Sequence, residues 1–209
     1  AHPGAIDPAA AVLHNLRALA DARVGHDGPS LAALCGGSRR TEWPFTVPVA
    51  DPDLRALADR FAAAGDDDTR RYAARLRGLP PQRLRGFLTG FADLVAEHDG
   101  RYWIVDWKSN HLGDRAADYG PEALAAAMHD HDYVLQYHLY LLALHRHLRA
   151  RLPGYAYESH VAGVLYAFLR GVVPRTSNGV YVARPEAALV AALDAWADGG
   201  SGRADGGSA

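Results

Sequence analysis

The sequence predicts an α/β fold: a mixed central sheet flanked by helices, with a helical N-terminal extension. Three observations carry this. Two strand-like stretches, Gly86 to Glu97 (GFLTGFADLVAE) and Arg101 to Asn110 (RYWIVDWKSN), are separated only by His98-Asp99-Gly100, whose Asp-Gly favours a tight hairpin. A helical run opened by Pro121 extends to about Arg151, and an apolar strand, Val161 to Arg170, follows it. Amphipathic helical runs precede the strand pair and close the chain.

Each element has its own local signal. Asp7 to Ala22 reads as an amphipathic helix capped by Asp7-Pro8, with Val12, Leu16 and Leu19 on one side and a break at Gly25 to Gly28. Leu31 to Leu34 is a short helical turn. Glu42 to Val49 alternates Trp43, Phe45, Val47 and Val49, as a half-buried strand does. Asp53 to Ala64 is a second helix closed by Gly65, and Asp66-Asp67-Asp68 suits the start of a third, where negative charge is favourable. Thr69 to Gly86 holds six arginines and no acid; they form either a phosphate-binding patch or a solvated helix face. Pro80-Pro81 marks a linker. His111 to Gly120 is a loop, and the helical run after Pro121 is one long helix or a broken pair. Val161 to Arg170 is apolar on both faces, as a central strand is. Gly179 to Ala183 is a short edge strand and Glu186 to Ala197 a final helix. Expected boundaries are residues 1–84 for an extension with one strand, 85–198 for the core and 199–209 for a flexible tail, GGSGRADGGSA.

Chemistry concentrates at the end of RYWIVDWKSN. Alternation puts Tyr102, Ile104, Asp106 and Lys108 on one side, with Trp103, Val105 and Trp107 on the other. A carboxylate and an ammonium thus sit together at the end of an apolar strand, where either would be expensive to bury alone. In the strand before it, Phe87, Thr89, Phe91, Asp93 and Val95 share a face. Folding the hairpin brings Asp93 towards Asp106. Two carboxylates with a lysine beside them suit a hard cation such as Mg²⁺, which completes its shell with water and substrate phosphates.

Composition bounds the remaining possibilities. With 209 residues, 49% of them hydrophobic, one domain with a sizeable core is expected. The net charge of −2 gives no global electrostatic case for nucleic acid. The single cysteine, Cys35, excludes a disulfide framework and points to a reducing, cytoplasmic compartment. No apolar run reaches membrane-spanning length. The one methionine is Met128, so the sequence is expected to be a piece of a longer protein. No phosphate-binding GxxxxGK[ST] loop occurs, so any ATP-driven motor would lie elsewhere in that parent.

Asp93 followed by Asp106-Trp107-Lys108 resembles the PD-(D/E)xK nuclease core, which is restriction-endonuclease-like. The wider text, GFLTGFADLVAEHDGRYWIVDWKSNHLG, YVLQYHLYLLALHRHLR and GVLYAFLRGV, looks like the C-terminal nuclease domain of RecB-type helicase–nucleases, closely so from about Arg85 to Pro185. The resemblance implies a Mg²⁺-dependent deoxyribonuclease of the exodeoxyribonuclease V type, active in double-strand-break repair and recombination. It implies that Asp93, Asp106 and the Trp107 backbone carbonyl hold one or two Mg²⁺ ions, and that Lys108 orients the attacking water or stabilises developing charge. Gln136 and Tyr140, four apart and so neighbours on one helix face, match the family's Gln-x-x-x-Tyr and would position DNA or the lysine. Glu42 stands where the family often has an acidic residue that reaches the metal; from the strand pattern alone it reads as a solvated strand-end charge.

The partners implied are DNA strands fed by a helicase, RecC- and RecD-like subunits, and a RecA-type recombinase. Two alternatives are a non-enzymatic platform for loading recombinase and a nuclease of the same superfamily in another assembly. Removing Asp106 or Lys108 should abolish cleavage and leave the fold largely intact. The family usually adds a histidine ligand from an upstream helix. His14 in VLHNL lies too close to Asp93 and lacks the preceding glycine, so that ligand is expected before Ala1. His129, His131, His138, His145 and His147 have no zinc-site spacing and are expected to be ordinary helix-surface histidines with no metal role.

Overall fold

The computed structural model describes residues 7–24, 28–80 and 83–199. In chain order it contains α1 (Pro8–Asp21), α2 (Leu31–Gly36), β1 (Arg39–Asp53), α3 (Leu54–Ala64), α4 (Asp67–Gly78), β2 (Arg83–His98) and β3 (Arg101–Lys108). A 3-10 turn (Ala116–Tyr119) leads to α5 (Pro121–Asp130), α6 (Tyr133–Arg151), α7 (Tyr157–His160), β4 (Val161–Phe168), β5 (Val180–Ala183) and α8 (Ala187–Ala197). The glycine-rich tail expected over 199–209 lies outside the described residues beyond Gly199, as does the centre of the break expected at 25–28.

The five strands lie side by side in the order β1-β2-β3-β4-β5. β1, β2 and β3 are successively antiparallel, β3 and β4 run parallel, and β5 returns antiparallel on the edge. The β2–β3 turn has Asp99 at φ 51° and Gly100 at φ 74°. Both values are positive, as the two-residue turn that matches strand twist requires, and Asp-Gly accepts them readily. The parallel step needs a crossover, which α5, α6 and α7 provide. At the start of β4, Gly163 has φ 140°, and a Cβ there would lie 2.6 Å from the Ala183 carbonyl oxygen. Only glycine fits that approach to β5.

Each face of the sheet carries its own core, which places helices on both sides. Ile104, Val164, Tyr166 and Phe168 join the larger core, with buried residues of α3, α4, α5, α6 and α8. Leu94, Ala96, Val105, Leu165 and Ala167 face the smaller one, with Ala22, Val24, Leu31 and Leu34. β4 is buried along its whole length, as a two-faced central strand must be.

Capping follows the sequence. The Asp7, Asp53 and Asp66 side chains accept from the Ala9, Arg55 and Thr69 amides and so start α1, α3 and α4. The run after Pro121 is a broken pair: Asp132, at φ 57°, interrupts it between α5 and α6. Its carboxylate accepts from the Tyr72 hydroxyl at 2.7 Å and from Arg75 Nε at 2.7 Å. The hydrogen bond from Arg75 holds that carboxyl below the usual range. The start of α6 is thereby tied to α4, and this fixes where Gln136 and Tyr140 point.

The fold departs from the sequence pattern in two places. Amphipathic spacing predicts that Val12 and Leu16 on α1 face inward with Leu19, yet they are 58% and 57% exposed. The helix packs instead through its small residue Ala18, with Ala22 just beyond its end and Leu19 partly buried. The even alternation expected along β2 also fails. Phe91 is exposed while Ala92 and Val95, three apart, both join the larger core. Across from Asp93 on β1, Glu42 has φ 47°, in the left-handed region.

His138 is fully buried against Phe61 and Tyr137, with Nδ1 2.7 Å from the Val134 carbonyl. Burial pushes its pKa down to about 4. A depressed histidine pKa means that the folded state resists the proton. Stability is therefore lost as pH falls below the unfolded value, about 6.5, towards the folded one, by about 3 kcal/mol for this group. His138→Phe is expected to flatten thermal stability between those pH values, as read by melting temperature against pH. An unchanged acid slope would refute this assignment.

Candidate active site

The site forms where the β2–β3 ladder opens. The last pair of that ladder is Leu94 with Val105, and the next residue on each strand is Asp93 and Asp106. Beyond this point Asp93 replaces the ladder: its Oδ2 accepts from the Trp107 amide at 2.8 Å. An aspartate in mid-strand is disfavoured on propensity. Here it satisfies a backbone donor and holds β3 straight through Lys108.

Asp106 is 3% exposed. Its Oδ1 makes ion contact with Lys108 Nζ but receives no well-directed hydrogen bond. Its Oδ2 accepts from the Tyr140 hydroxyl at 3.3 Å, and the same hydroxyl lies 2.9 Å from the Phe91 carbonyl. Burial raises the Asp106 pKa, the Asp93 charge adds to the rise, and Lys108 and Tyr140 oppose it. Two carboxylates thus act on each other, with one ammonium on the buried Asp106.

Lys108 is held from several directions. Its Nζ donates to Gln136 Oε1 at 3.1 Å, and Tyr166 donates to the same oxygen at 2.9 Å. The ammonium lies 3.9 Å from the centre of the Tyr133 ring and 5.0 Å from that of Tyr166, within cation–π reach. Gln136 and Tyr140, one turn apart on α6, therefore address Lys108 and Asp106 respectively. Beside them Phe45, Thr89, Phe91 and Tyr133 help line an open groove of about 560 Å³.

The structure brings Asp93, Asp106, Trp107, Lys108, Gln136 and Tyr140 together. Glu42 is different: it lies on β1 between the residues paired with Leu94 and Ala92, is exposed, and makes no polar contact with the others. His14 is exposed on α1. Among the described residues no third His, Cys, Asp or Glu joins the two carboxylates in a metal-sized group. The donors present still fit a hard divalent cation. A buried carboxylate, its Oδ1 met by the Lys108 ammonium, stands beside a second carboxylate, a set that Mg²⁺ accepts when water and phosphate complete its shell.

The arginine-rich segment is largely spent on ion pairs: Arg70 with Asp67, Arg71 with Asp68, Arg75 with Asp132 and Arg77 with Asp59. The Arg83 and Arg85 side chains lie outside the described residues. Tyr166 is the neighbour of Asp106 and Gln136 that the sequence alone does not reveal. It is paired with Asp106 in the parallel β3–β4 ladder, and that register becomes visible only once the crossover is placed.

Comparison with known proteins agrees with this geometry. The PD-(D/E)XK nuclease superfamily matches residues 15–206. The chain is 40% identical over 183 residues to the RecBCD enzyme subunit RecB of Escherichia coli K12, covering 86% of this chain and 15% of that protein. It is 43% identical over 199 residues to the same subunit of Mycobacterium tuberculosis, covering 83% of this chain and 18% of that protein. For Haemophilus influenzae the identity is 43% over 168 residues, covering 80% and 13%. The chain therefore spans less than a fifth of these relatives. Among the described residues no helix is long and apolar enough to cross a membrane. The chain belongs to the PD-(D/E)xK nuclease superfamily.

Proposed function

We propose that this chain is the DNA-cutting domain of a RecB-type helicase–nuclease, hydrolysing phosphodiester bonds with Mg²⁺ in break repair and recombination. The observation that carries it is the convergence of Asp93, Asp106 and Lys108 on one sheet face, with Lys108 fixed by Gln136. Asp93 and Asp106 would hold the metal, with the Trp107 backbone beside them. Magnesium bound there would lower the pKa of a ligand water and offset charge building on the phosphate. Lys108, preorganised by a carboxylate, an amide and two rings, presents its ammonium to the attacking water or to the phosphate oxygens as charge develops. Tyr140 keeps Asp106 aimed through its hydroxyl. The parent protein would act in the cytoplasm with RecC- and RecD-like subunits and contact a RecA-type recombinase. Its helicase would deliver the strand as an exodeoxyribonuclease V does.

Linear single-stranded DNA should be degraded with millimolar Mg²⁺ and left intact with EDTA. Cleavage that persists in EDTA would refute the metal-dependent mechanism. Absence of cleavage with both Mg²⁺ and Mn²⁺, by this chain and by one extended upstream to supply the expected histidine ligand, would favour the docking-platform reading. Gln136 is a positioning residue, so Gln136→Ala should lower kcat by about 10–100-fold with little change in KM. Gln136→Glu, which keeps an acceptor for Lys108 and Tyr166, should retain more activity. Equal KM and kcat losses would instead place Gln136 on the DNA.

A further inference from the structure

At the far end of α6, about 16 Å along its axis from Tyr140, Arg151 joins Arg39 and Arg40 of β1 around a pocket of about 330 Å³. Trp43, Tyr102 and Leu148 help form its apolar wall. All four arginines of α4 are paired with aspartates. These three are not. Arg39 reaches the Gly37 carbonyl, Arg151 reaches His147 Nδ1, and none of the three meets a carboxylate among the described residues. Arg151 and Arg40 also act on His147: burial first, then these two charges, push its pKa down. Both guanidiniums line the pocket together with that imidazole.

Three guanidiniums that meet no carboxylate among the described residues, set over an aromatic and aliphatic floor, describe a ligand with an anionic and a flat apolar part. Guanidinium is the side chain suited to bidentate phosphate recognition. A series of ring contacts also connects this pocket with the active site. Tyr140 meets Phe45 at 5.6 Å, Phe45 meets Trp43 at 6.1 Å, and Trp43 meets His147 at 5.3 Å. The groove beside Tyr140 and the arginine pocket therefore lie along one β1–α6 seam.

We propose that this pocket is a second nucleic-acid site, holding a phosphate and base of the single strand whose scissile bond lies at Asp106. The choice of ligand rests on the nuclease reading; the pocket's charge and shape do not. Its role is to grip the strand a few nucleotides from the cut, giving affinity and register without touching the reacting atoms.

The test is binding of a fluorescent oligothymidylate, long enough to span both sites, to wild-type protein and to Arg40→Ala/Arg151→Ala, by anisotropy in EDTA across a salt series. Both arginines are exposed, so the variant keeps the core, and circular dichroism checks it. Loss of that phosphate contact should lower the log–log salt slope by about 0.7 and weaken low-salt affinity about five-fold. A wild-type salt slope in the variant, or no binding by the wild type, overturns the proposal. So does displacement of the oligonucleotide by polyglutamate at equal charge concentration, which would make the pocket a site for an acidic polypeptide. Should the wild type cut DNA while the variant keeps its slope, this site falls and the nuclease reading stands. Arginine-dependent binding by a protein that does not cut keeps the site and removes the nuclease reading.

Discussion

Asp106→Asn is expected to lose cleavage by on the order of a thousand-fold, a few kcal/mol of transition-state stabilisation, while melting within a few degrees of the wild type. Asparagine keeps the shape and an oxygen for Lys108, but it removes the charge that would hold a divalent cation. The pH dependence gives the second half of this prediction. Burial and the neighbouring Asp93 raise the Asp106 pKa in the folded state. A carboxyl with a raised folded pKa stabilises the fold while protonated, and that contribution is lost as pH rises from the unfolded value through the folded one. Ionised Asp106 therefore weakens the fold at neutral pH. The melting-temperature difference between variant and wild type should shift in the variant's favour from acid to neutral pH. A difference independent of pH would mean that Asp106 is not under electrostatic stress.

Lys108→Ala is expected to lose cleavage by about 100–1000-fold, as removal of a preorganised charge-stabilising donor does. Unlike Asp106→Asn, it should also destabilise the protein. The lysine and aspartate side chains are 11% and 4% exposed, so truncating the lysine strands a buried carboxylate beside a second one. Breaking such a pair costs about 3 kcal/mol, or roughly 6–12 °C in melting temperature for a chain of this size. Adding Asp106→Asn should restore much of that stability and none of the activity. Thermal melts of the two single variants and the double variant give the coupling directly. The structure thus sharpens the sequence expectation that either removal leaves the fold largely intact: it should hold for Asp106 and fail in part for Lys108.

The sequence made this pair legible because strand alternation alone puts Asp106 and Lys108 on one face. The Asp99-Gly100 turn then brings Asp93 to them, since a two-residue turn fixes the register of the whole hairpin. Gln136 and Tyr140 are legible as helix neighbours, but not what each touches. That depends on Asp132, whose left-handed backbone and bonds to Tyr72 and Arg75 set where α6 begins. Tyr166 is hidden because a parallel pairing across a helical crossover leaves no local signal. The arginines mislead for a similar reason. A run of six draws attention to α4, where aspartates from α3 and the α5–α6 junction neutralise Arg77 and Arg75. Arg39, Arg40 and Arg151 are far apart in sequence and converge only in the fold. On β2, periodicity fails at Asp93 itself, where the exposed Phe91 and the buried Val95 lie on either side of the site.

Whether Asp93, Asp106 and Lys108 form one hydrolytic centre is tested most directly by comparing wild-type and Lys108→Ala protein on linear single-stranded DNA with Mg²⁺. The assay is run at a temperature where circular dichroism shows both folded. A single centre predicts progressive degradation by the wild type and at least about a hundred-fold slower cleavage by the variant. Cleavage by Lys108→Ala at the wild-type rate would contradict it and move the chemistry elsewhere on the chain.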